Sequence, residues 1–226
     1  MSSTPPRGGG RTPRPRLARL PALGRIASAV IPLALLAAAC GGAATPSTVM
    51  VEAITPAPLG VRDTAFDPPV PAPDLRLTDG DGRPFDLASL RGTPVFVYFG
   101  YTHCPDVCPT TLADLREAIA ASGVDARVVF VTVDPARDDA AAMKQYTDYY
   151  QSGFIGLTGS DADIAAATAA WGVTYAKLPG DSGSGYAMAH STDTYLVDAD
   201  GMLRHHVFFG APADLIAGLL RDVAGG

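Results

Sequence analysis

The sequence predicts an α/β fold in which a central mixed sheet is covered by helices on both faces. Three observations support this prediction. Residues 94–100 and 127–133 are almost wholly apolar and rich in β-favouring side chains, which is typical of strands buried on both faces. A segment with helical periodicity follows each of them, as expected for helical crossovers. Nearer the C-terminus, a turn between two apolar segments indicates an antiparallel hairpin.

The first predicted elements begin near residue 69. Residues 75–87 predict a short β-hairpin, because apolar positions flank the turn Asp79–Gly82. This hairpin is an N-terminal addition to the sheet. Residues 94–100 form the first buried strand. Residues 110–122 form a helix, since their leucines and isoleucine recur at helical spacing on one face.

The middle of the domain repeats the strand and helix pattern. Residues 127–133 are the second buried strand, and residues 138–150 are a helix with acidic residues in its first turn. Residues 154–157 predict a short strand, and residues 161–171 predict the next helix. A parallel sheet with helical crossovers follows from this alternation.

The last elements are a hairpin and a helix. Residues 194–197 and 203–209 flank the turn Asp198–Gly201, and residues 213–223 form the closing helix. The full order of strand, helix, strand, helix, β-hairpin and helix is that of thioredoxin. The sequence therefore predicts a thioredoxin-like domain over residues 69–226.

Residues 1–39 predict an export signal. Six arginines and no acid lie in residues 1–25, and an apolar run of 14 residues follows. That run is shorter than the roughly 20 residues that a membrane-spanning helix needs. Cys40 follows three alanines and resembles the lipidated cysteine of a bacterial lipobox, although Ala37 replaces the usual leucine. The alternative is an ordinary secreted protein with an unmodified cysteine near its cleavage site.

Residues 40–68 predict a tether. They are rich in alanine, proline and threonine, contain few large apolar residues and so cannot form a core. Cleavage before Cys40 would leave 11 basic residues against 23 acidic ones, a net charge of −12. Such a charge argues against nucleic acid as a partner and agrees with cationic or basic ones.

Cys104 and Cys108 lie between a strand end and a helix start, in the segment THCPDVCP. Reactive residues of open α/β sheets lie at this position, and a helix N-terminus stabilises a thiolate there. Thiol redox chemistry, metal binding and a structural disulfide all fit a cysteine pair. The disulfide is the weakest of the three, because closing so short a loop gains little stability.

His190 precedes the strand at 194–197, where a thioredoxin-type oxidoreductase has a cis-proline. In that topology the loop before this strand lies against the cysteine loop, so we expect Cys104, Cys108 and His190 to meet. Two thiolates and an imidazole suit Cu(I) and, with a further ligand, Cu(II). Zinc is the alternative metal, but its structural sites need four ligands. Among the remaining histidines, we expect His103 to point away from the cysteines. His205 and His206 are expected on a solvated strand face.

Three motifs resemble the Sco/SenC family. They are THCPDVCPTTL, VTVDPARD and AHSTDTYLVDADG, in that order within residues 69–226. The resemblance implies a membrane-tethered, thioredoxin-like copper chaperone that assists assembly of the binuclear copper centre of cytochrome c oxidase. It also implies that Cys104, Cys108 and His190 are the copper ligands. Asp134 in the second motif would act at the metal site or in partner contact, or simply cap the following helix. Asp106 would tune the charge of the site or face solvent.

The resemblance leads to a hypothesis about function. The protein would be anchored through Cys40 to the extracytoplasmic face of the cell membrane and deliver copper to the copper-bearing subunit of the oxidase. Another extracytoplasmic copper chaperone or a thiol reductant would be a further partner. The alternative is a thiol–disulfide reductase that acts on the copper-binding cysteines of that subunit through Cys104 and Cys108. A peroxiredoxin is disfavoured, because no proline precedes Cys104 at the position that such enzymes require.

Overall fold

The computed structural model describes residues 63–151, 153–179 and 185–225. Within these residues it contains ten strands and four α-helices. The strands are β1 (Asp63–Pro71), β2 (Arg76–Asp79), β3 (Pro84–Asp86), β4 (Val95–Gly100), β5 (Arg127–Thr132), β6 (Phe154–Thr158), β7 (Tyr175–Pro179), β8 (Tyr186–His190), β9 (Thr194–Val197) and β10 (Met202–Val207). The helices are α1 (Val107–Ser122), α2 (Ala140–Tyr150), α3 (Asp161–Ala170) and α4 (Ala213–Gly225).

Eight of these strands form one mixed sheet flanked by helices. Their order is β1-β10-β9-β4-β5-β6-β2-β3. The strands β4, β5 and β6 are parallel, whereas the other pairings are antiparallel. Both central strands are apolar, and every residue of β4 is buried. The predicted α/β fold with a central mixed sheet is therefore confirmed.

Local sequence signals account for the ends of the helices. Helix α1 stops at Gly123, whose φ of 71° is readily adopted only by glycine. The Asp139 carboxylate accepts a hydrogen bond from Ala142 N at 2.8 Å and caps α2. Ser160 and Asp163 form a capping box at the start of α3. These caps satisfy backbone groups that the helices leave unpaired.

Two parts of the structure differ from the prediction. Strand β1 pairs with β10 and begins at Asp63, inside the segment 40–68 that was predicted as a tether. The ordered domain therefore starts before residue 69. In addition, β7 and β8 form a separate two-stranded sheet in a segment for which the sequence predicts no regular structure. His190 is the last residue of β8.

The predicted signal peptide and Cys40 lie outside the described residues. None of the helices in the described part of the chain is long and apolar enough to cross a membrane.

Candidate metal centre

The cysteine loop connects the end of β4 to the start of α1. Cys108 lies in the first turn of α1 and is fully buried, whereas Cys104 in the loop is 9% exposed. Gly100 ends β4, and a Cβ at this position would lie 2.7 Å from the Cys108 sulfur. The absence of a side chain at Gly100 therefore lets Cys108 pack directly against the end of the strand.

His190 completes a group of three possible metal donors. The sulfurs of Cys104 and Cys108 and a ring nitrogen of His190 all lie within 4.8 Å of one another, and Cys108 Sγ is 3.5 Å from His190 Nε2. His190 Nδ1 lies 2.7 Å from the carbonyl oxygen of Ser191. This carbonyl can only accept a hydrogen bond, so Nδ1 carries a proton and Nε2 is the ring nitrogen that faces the sulfurs. The predicted meeting of the three side chains is confirmed.

Two aromatic rings fix the orientation of the imidazole. The rings of Tyr101 and Tyr98 meet the His190 ring edge-on, with centroids 5.8 and 6.4 Å away. Tyr98 and Tyr101 are both buried. The imidazole is consequently held between packed rings before any ligand binds.

The two cysteines differ in acidity. A hydrogen bond from the Cys108 thiol lowers the pKa of Cys104 well below its usual value, and the backbone N–H of Cys108, 3.5 Å from Cys104 Sγ, also favours the thiolate. The same bond, together with burial, raises the pKa of Cys108. Cys104 is therefore the more acidic member of the pair, and Cys108 holds its proton more tightly. Both cysteines are free in this structure.

The donor set restricts the metals that this group suits. Two sulfurs and one imidazole nitrogen form a soft site that favours Cu(I). The group found among the described residues has three members, one fewer than a structural zinc site requires. A site of this kind leaves a coordination position for an incoming ligand.

The other histidines lie outside this group. His103 is exposed, with Nδ1 3.0 Å from the Thr102 hydroxyl, as expected for a side chain that points away from the cysteines. The prediction of a solvated face for His205 and His206 is wrong. His205 Nδ1 lies 3.0 Å from the Asp63 carboxylate, and His206 Nε2 lies 3.1 Å from Asp193. His205 is therefore partly buried against the unpredicted β1, and His206 is partly buried against Tyr195, whose ring stacks on it with centroids 5.0 Å apart.

The two acidic residues near the cysteines have different surroundings. Asp134 is buried and forms an ion pair with Arg137, and its Oδ1 accepts a hydrogen bond from the Tyr186 hydroxyl at 2.6 Å. It is not part of the three-donor group. Asp106 is exposed at the start of α1 and makes no side-chain cap. The sequence gives no sign of the Tyr186 contact, because the two residues are 52 positions apart.

Comparisons with known proteins agree with this fold and site. The SCO2-like protein of Rickettsia conorii is 37% identical over 148 residues, which cover 63% of this chain and 72% of that protein. The structure of Bradyrhizobium japonicum ScoI with copper bound is 35% identical with a TM-score of 0.61, and the match covers 69% of this chain and 99% of that one. Arabidopsis thaliana ScoI with copper bound is 31% identical with a TM-score of 0.63, over 66% and 96% of the two chains.

A family model adds the extent of the match. The model of SCO1/SenC matches residues 67–225, more than half of the chain. This range contains the cysteine loop, His190 and every helix of the structure. On this basis, the chain belongs to the SCO1/SenC family.

Proposed function

We propose that this protein is a copper metallochaperone that is tethered to the extracytoplasmic face of the cell membrane by a lipid on Cys40. It delivers copper to the binuclear copper centre of cytochrome c oxidase. The observation that carries the proposal is the group of Cys104, Cys108 and His190, with Nε2 of the imidazole directed at the sulfurs. Copper is the cargo of this site, and the proposed function requires no chemical conversion of the ion.

The acidity of the cysteines supports capture of the cargo. A metal binds thiolates rather than thiols, so binding releases the proton that remains on Cys108. The lowered pKa of Cys104 favours its thiolate, and His190 directs Nε2 at the sulfurs. Two of the three donors are thus arranged for a metal.

Transfer follows from the small number of donors. A thiolate or imidazole of the partner enters the open coordination position, and the ion then moves from one ligand set to the other. The Sco family is one of cytochrome c oxidase assembly proteins, and two of the relatives described above hold copper. The two copper-bound relatives support copper as the cargo.

A second candidate function is reduction of a disulfide in the oxidase subunit. The lowered pKa of Cys104 favours it, because a thiolate is the attacking species. The Cys104 thiolate would attack one sulfur of the partner disulfide, form a mixed disulfide and release the other partner sulfur as a thiolate. Cys108, after losing its proton, would attack Cys104 and release the second partner thiolate. The pair would end as a disulfide and the partner as a dithiol.

His190 separates the two functions. We would measure anaerobic binding of Cu(I) and binding of Cu(II) to the reduced protein, exchange with a model disulfide, and oxidase copper-centre assembly in cells. His190→Ala should weaken Cu(II) binding far more than Cu(I) binding, because Cu(I) tolerates two thiolates whereas Cu(II) depends on nitrogen donors. His205→Ala is the matched control, since this imidazole pairs with Asp63 on β1 and lies outside the donor group.

The outcomes differ between the two functions. Delivery of copper predicts that assembly fails in His190→Ala, Cys104→Ala and Cys108→Ala, while disulfide exchange is lost only in the cysteine variants. Reduction predicts that His190→Ala supports assembly as well as wild type does. That second result would overturn the copper-delivery proposal.

A further inference from the structure

The turn formed by residues 134–138 connects β5 to α2 and contacts both halves of the metal centre. It contributes no member of the three-donor group. Backbone hydrogen bonds from Arg137 N and Asp138 N to the Asp134 carbonyl, 3.1 and 3.0 Å long, close the turn. Its side chains point to two different segments: Asp138 to the cysteine loop, and Asp134 and Arg137 to the hairpin β7–β8.

Asp138 holds the cysteine loop. Its side chain is fully buried, and its carboxylate accepts hydrogen bonds from the backbone N–H of Thr102 at 2.9 Å and from the Thr102 hydroxyl at 2.5 Å. The hydroxyl of Thr132, at the end of β5, donates a third bond of 2.7 Å. A buried carboxylate with this many donors is rigidly placed. Thr102 precedes Cys104 by two positions, so the loop is fixed next to its first cysteine.

Asp134 and Arg137 hold the hairpin that carries His190. The guanidinium of Arg137 lies over the Tyr186 ring, 3.7 Å from its centroid, and its Nη1 donates a 3.0 Å hydrogen bond to the Tyr186 carbonyl. The Tyr186 hydroxyl donates to Asp134, which also pairs with Arg137. Tyr186 is the first residue of β8 and His190 is the last. The contacts thus fix the far end of the strand on which the imidazole is mounted.

These contacts matter because β7 and β8 form no strand pairing with the eight-stranded sheet. In the described part of the chain, the hairpin depends on side-chain contacts to keep its place over the cysteine loop. Arg137 supplies one more of them, since its guanidinium lies 5.8 Å from the ring of Tyr101, which itself contacts His190. Lys177 covers the opposite face of Tyr186 at 3.6 Å.

We propose that Asp134, Arg137 and Tyr186 are positioning residues that set the distance between His190 and the cysteine sulfurs, while Asp138 and Thr102 set the position of the cysteine loop. The inference rests on the proposed copper function, because it assigns to these residues the placement of His190 as the third copper donor. Loss of the hairpin contacts should reproduce the loss of His190 without altering a ligand. Loss of the loop contacts should affect binding of both copper states.

Tyr186→Phe tests the hairpin half of the proposal. The substitution removes one hydroxyl and keeps the ring beneath Arg137. We expect Cu(II) affinity to fall about tenfold, in the range seen when groups that orient metal ligands are removed, with a smaller change for Cu(I). The charge-transfer absorption of Cu(II) bound to thiolate should shift as well. Tyr149→Phe removes the same hydroxyl from a tyrosine that is 81% exposed and should leave both measurements unchanged.

A double-mutant cycle distinguishes positioning from a general structural effect. In the His190→Ala background, Tyr186→Phe should cause no further loss of Cu(II) affinity, because there is no imidazole left to position. Unchanged affinity in the single variant would overturn the proposal. A tenfold loss that persists without His190 would overturn it too, since Tyr186 would then act on the fold or on the cysteines.

Thr102→Val tests the loop half with a side chain of the same shape. It removes the hydroxyl that donates to Asp138, and Cu(I) and Cu(II) affinities should fall by similar factors. Wild-type affinity for both ions would overturn the role of the loop contacts. Thermal unfolding identifies any variant that fails to fold. Tyr186→Phe and Thr102→Val are small changes, so the copper affinity of each can be compared with that of wild type at the same folded fraction.

A measurement without copper separates this inference from the proposed function. In the metal-free protein, Tyr186→Phe should shift the NMR signals of the His190 ring, whereas Tyr149→Phe should not. If wild type fails to bind copper but the His190 signals shift, the proposed function fails and the positioning role stands. If copper binds and the signals do not move, the positioning role is overturned.

Discussion

Cys104 and Cys108 are chemically unequal, although they are the same residue type four positions apart. Cys104 accepts hydrogen bonds from the Cys108 thiol and backbone, whereas Cys108 is buried beneath it and keeps its proton. The difference arises because the thiol and backbone N–H of Cys108 both donate to Cys104, while Cys108 itself is fully buried. In a pair of this kind, Cys104 is the more nucleophilic sulfur, and Cys108 must lose its proton before it can react.

This inequality predicts an unusual pH dependence of alkylation. The folded pKa of Cys104 lies below its ordinary value of 9.0, so the thiolate persists as the pH falls and is lost only as the pH passes through the lowered pKa. Iodoacetamide should therefore modify Cys104 at nearly the same rate at pH 5 and pH 7. An ordinary thiol would slow by about tenfold per pH unit over this range. Mass spectrometry of the modified peptide gives the rate.

Cys108→Ala provides the control for this measurement. It removes the thiol whose hydrogen bond contributes most to the lowered pKa of Cys104, so this pKa should rise towards 9.0 and modification should slow more between pH 7 and pH 5 than it does in wild type. If the wild-type protein already slowed tenfold per pH unit, the assignment of the thiolate to Cys104 would be wrong.

Gly100 is the residue whose absent side chain shapes the site. A methyl group there would lie 2.7 Å from both the Cys108 sulfur and a ring carbon of Phe130, too close for either to remain in place. Gly100→Ala should cost about 1–3 kcal/mol in the free energy of unfolding, the usual cost of overpacking a core. It should also weaken copper binding, because the Cys108 sulfur must move. Denaturant unfolding and Cu(I) titration measure the two effects.

Gly218→Ala is the matched control in helix α4. A Cβ at Gly218 meets only the end of the Arg221 side chain, at 4.0 Å. The same substitution should here stabilise the protein by about 0.5–1 kcal/mol, because alanine is the better helix former. Equal effects at the two glycines would show that close contact at Gly100 is not the cause.

Among the elements, β4 and β5 form the centre of the sheet and were predicted with nearly their observed bounds. Val97 and Val129 are partners in the parallel register of these strands and are both fully buried. Val97→Asp or Val129→Asp would bury an unpaired charge at a cost of several kcal/mol, enough to unfold a domain of ordinary stability. Circular dichroism should show no cooperative thermal transition at the wild-type temperature.

Val70→Asp is the control for these two substitutions. Val70 lies on β1 and is 40% exposed, so its charge would remain in contact with water. The transition temperature should change little in this variant. A wild-type transition in both core variants would contradict the central position of β4 and β5.

The elements that the sequence predicts are those with strong local patterns. The buried strands, the helices and the turns near Asp79 and Asp198 each depend on residues that are close in the chain. Strand β1 escapes prediction because it contains three prolines and pairs with β10, whose partner residues are more than 100 positions away. Strands β7 and β8 escape it because most of their side chains are exposed and so show no apolar pattern.

The candidate site divides in the same way. Cys104 and Cys108 are visible in a short motif, and topology places His190 beside them. The contacts of Arg137 and Tyr186 are not visible, because the two residues are 49 positions apart and neither is a ligand. A sequence motif identifies the candidate ligands but not the residues that position them.

The prediction for the whole molecule is that Cys40 anchors the protein to the membrane. Cys40→Ser should move the protein from the membrane fraction to the soluble fraction and block cleavage of the signal at that position, because serine carries no thiol to be lipidated. Immunoblots of fractionated cells measure both effects. Cys108→Ser replaces a cysteine of the domain in the same way and should leave fractionation unchanged. An unaltered membrane fraction in Cys40→Ser would exclude the lipid anchor.

The two outer strands of the sheet, β1 and β3, both come from the segment that precedes β4. Exposed sheet edges can pair with other chains and so promote aggregation, and natural proteins often protect them with prolines. Strand β1 carries prolines at 68, 69 and 71 and shields β10 in this manner. A soluble domain that began at residue 69 would lack Asp63 to Ala65 and leave part of β10 uncovered. Strand β1 is therefore part of the protection of this sheet edge, and soluble versions of this protein should begin before Asp63.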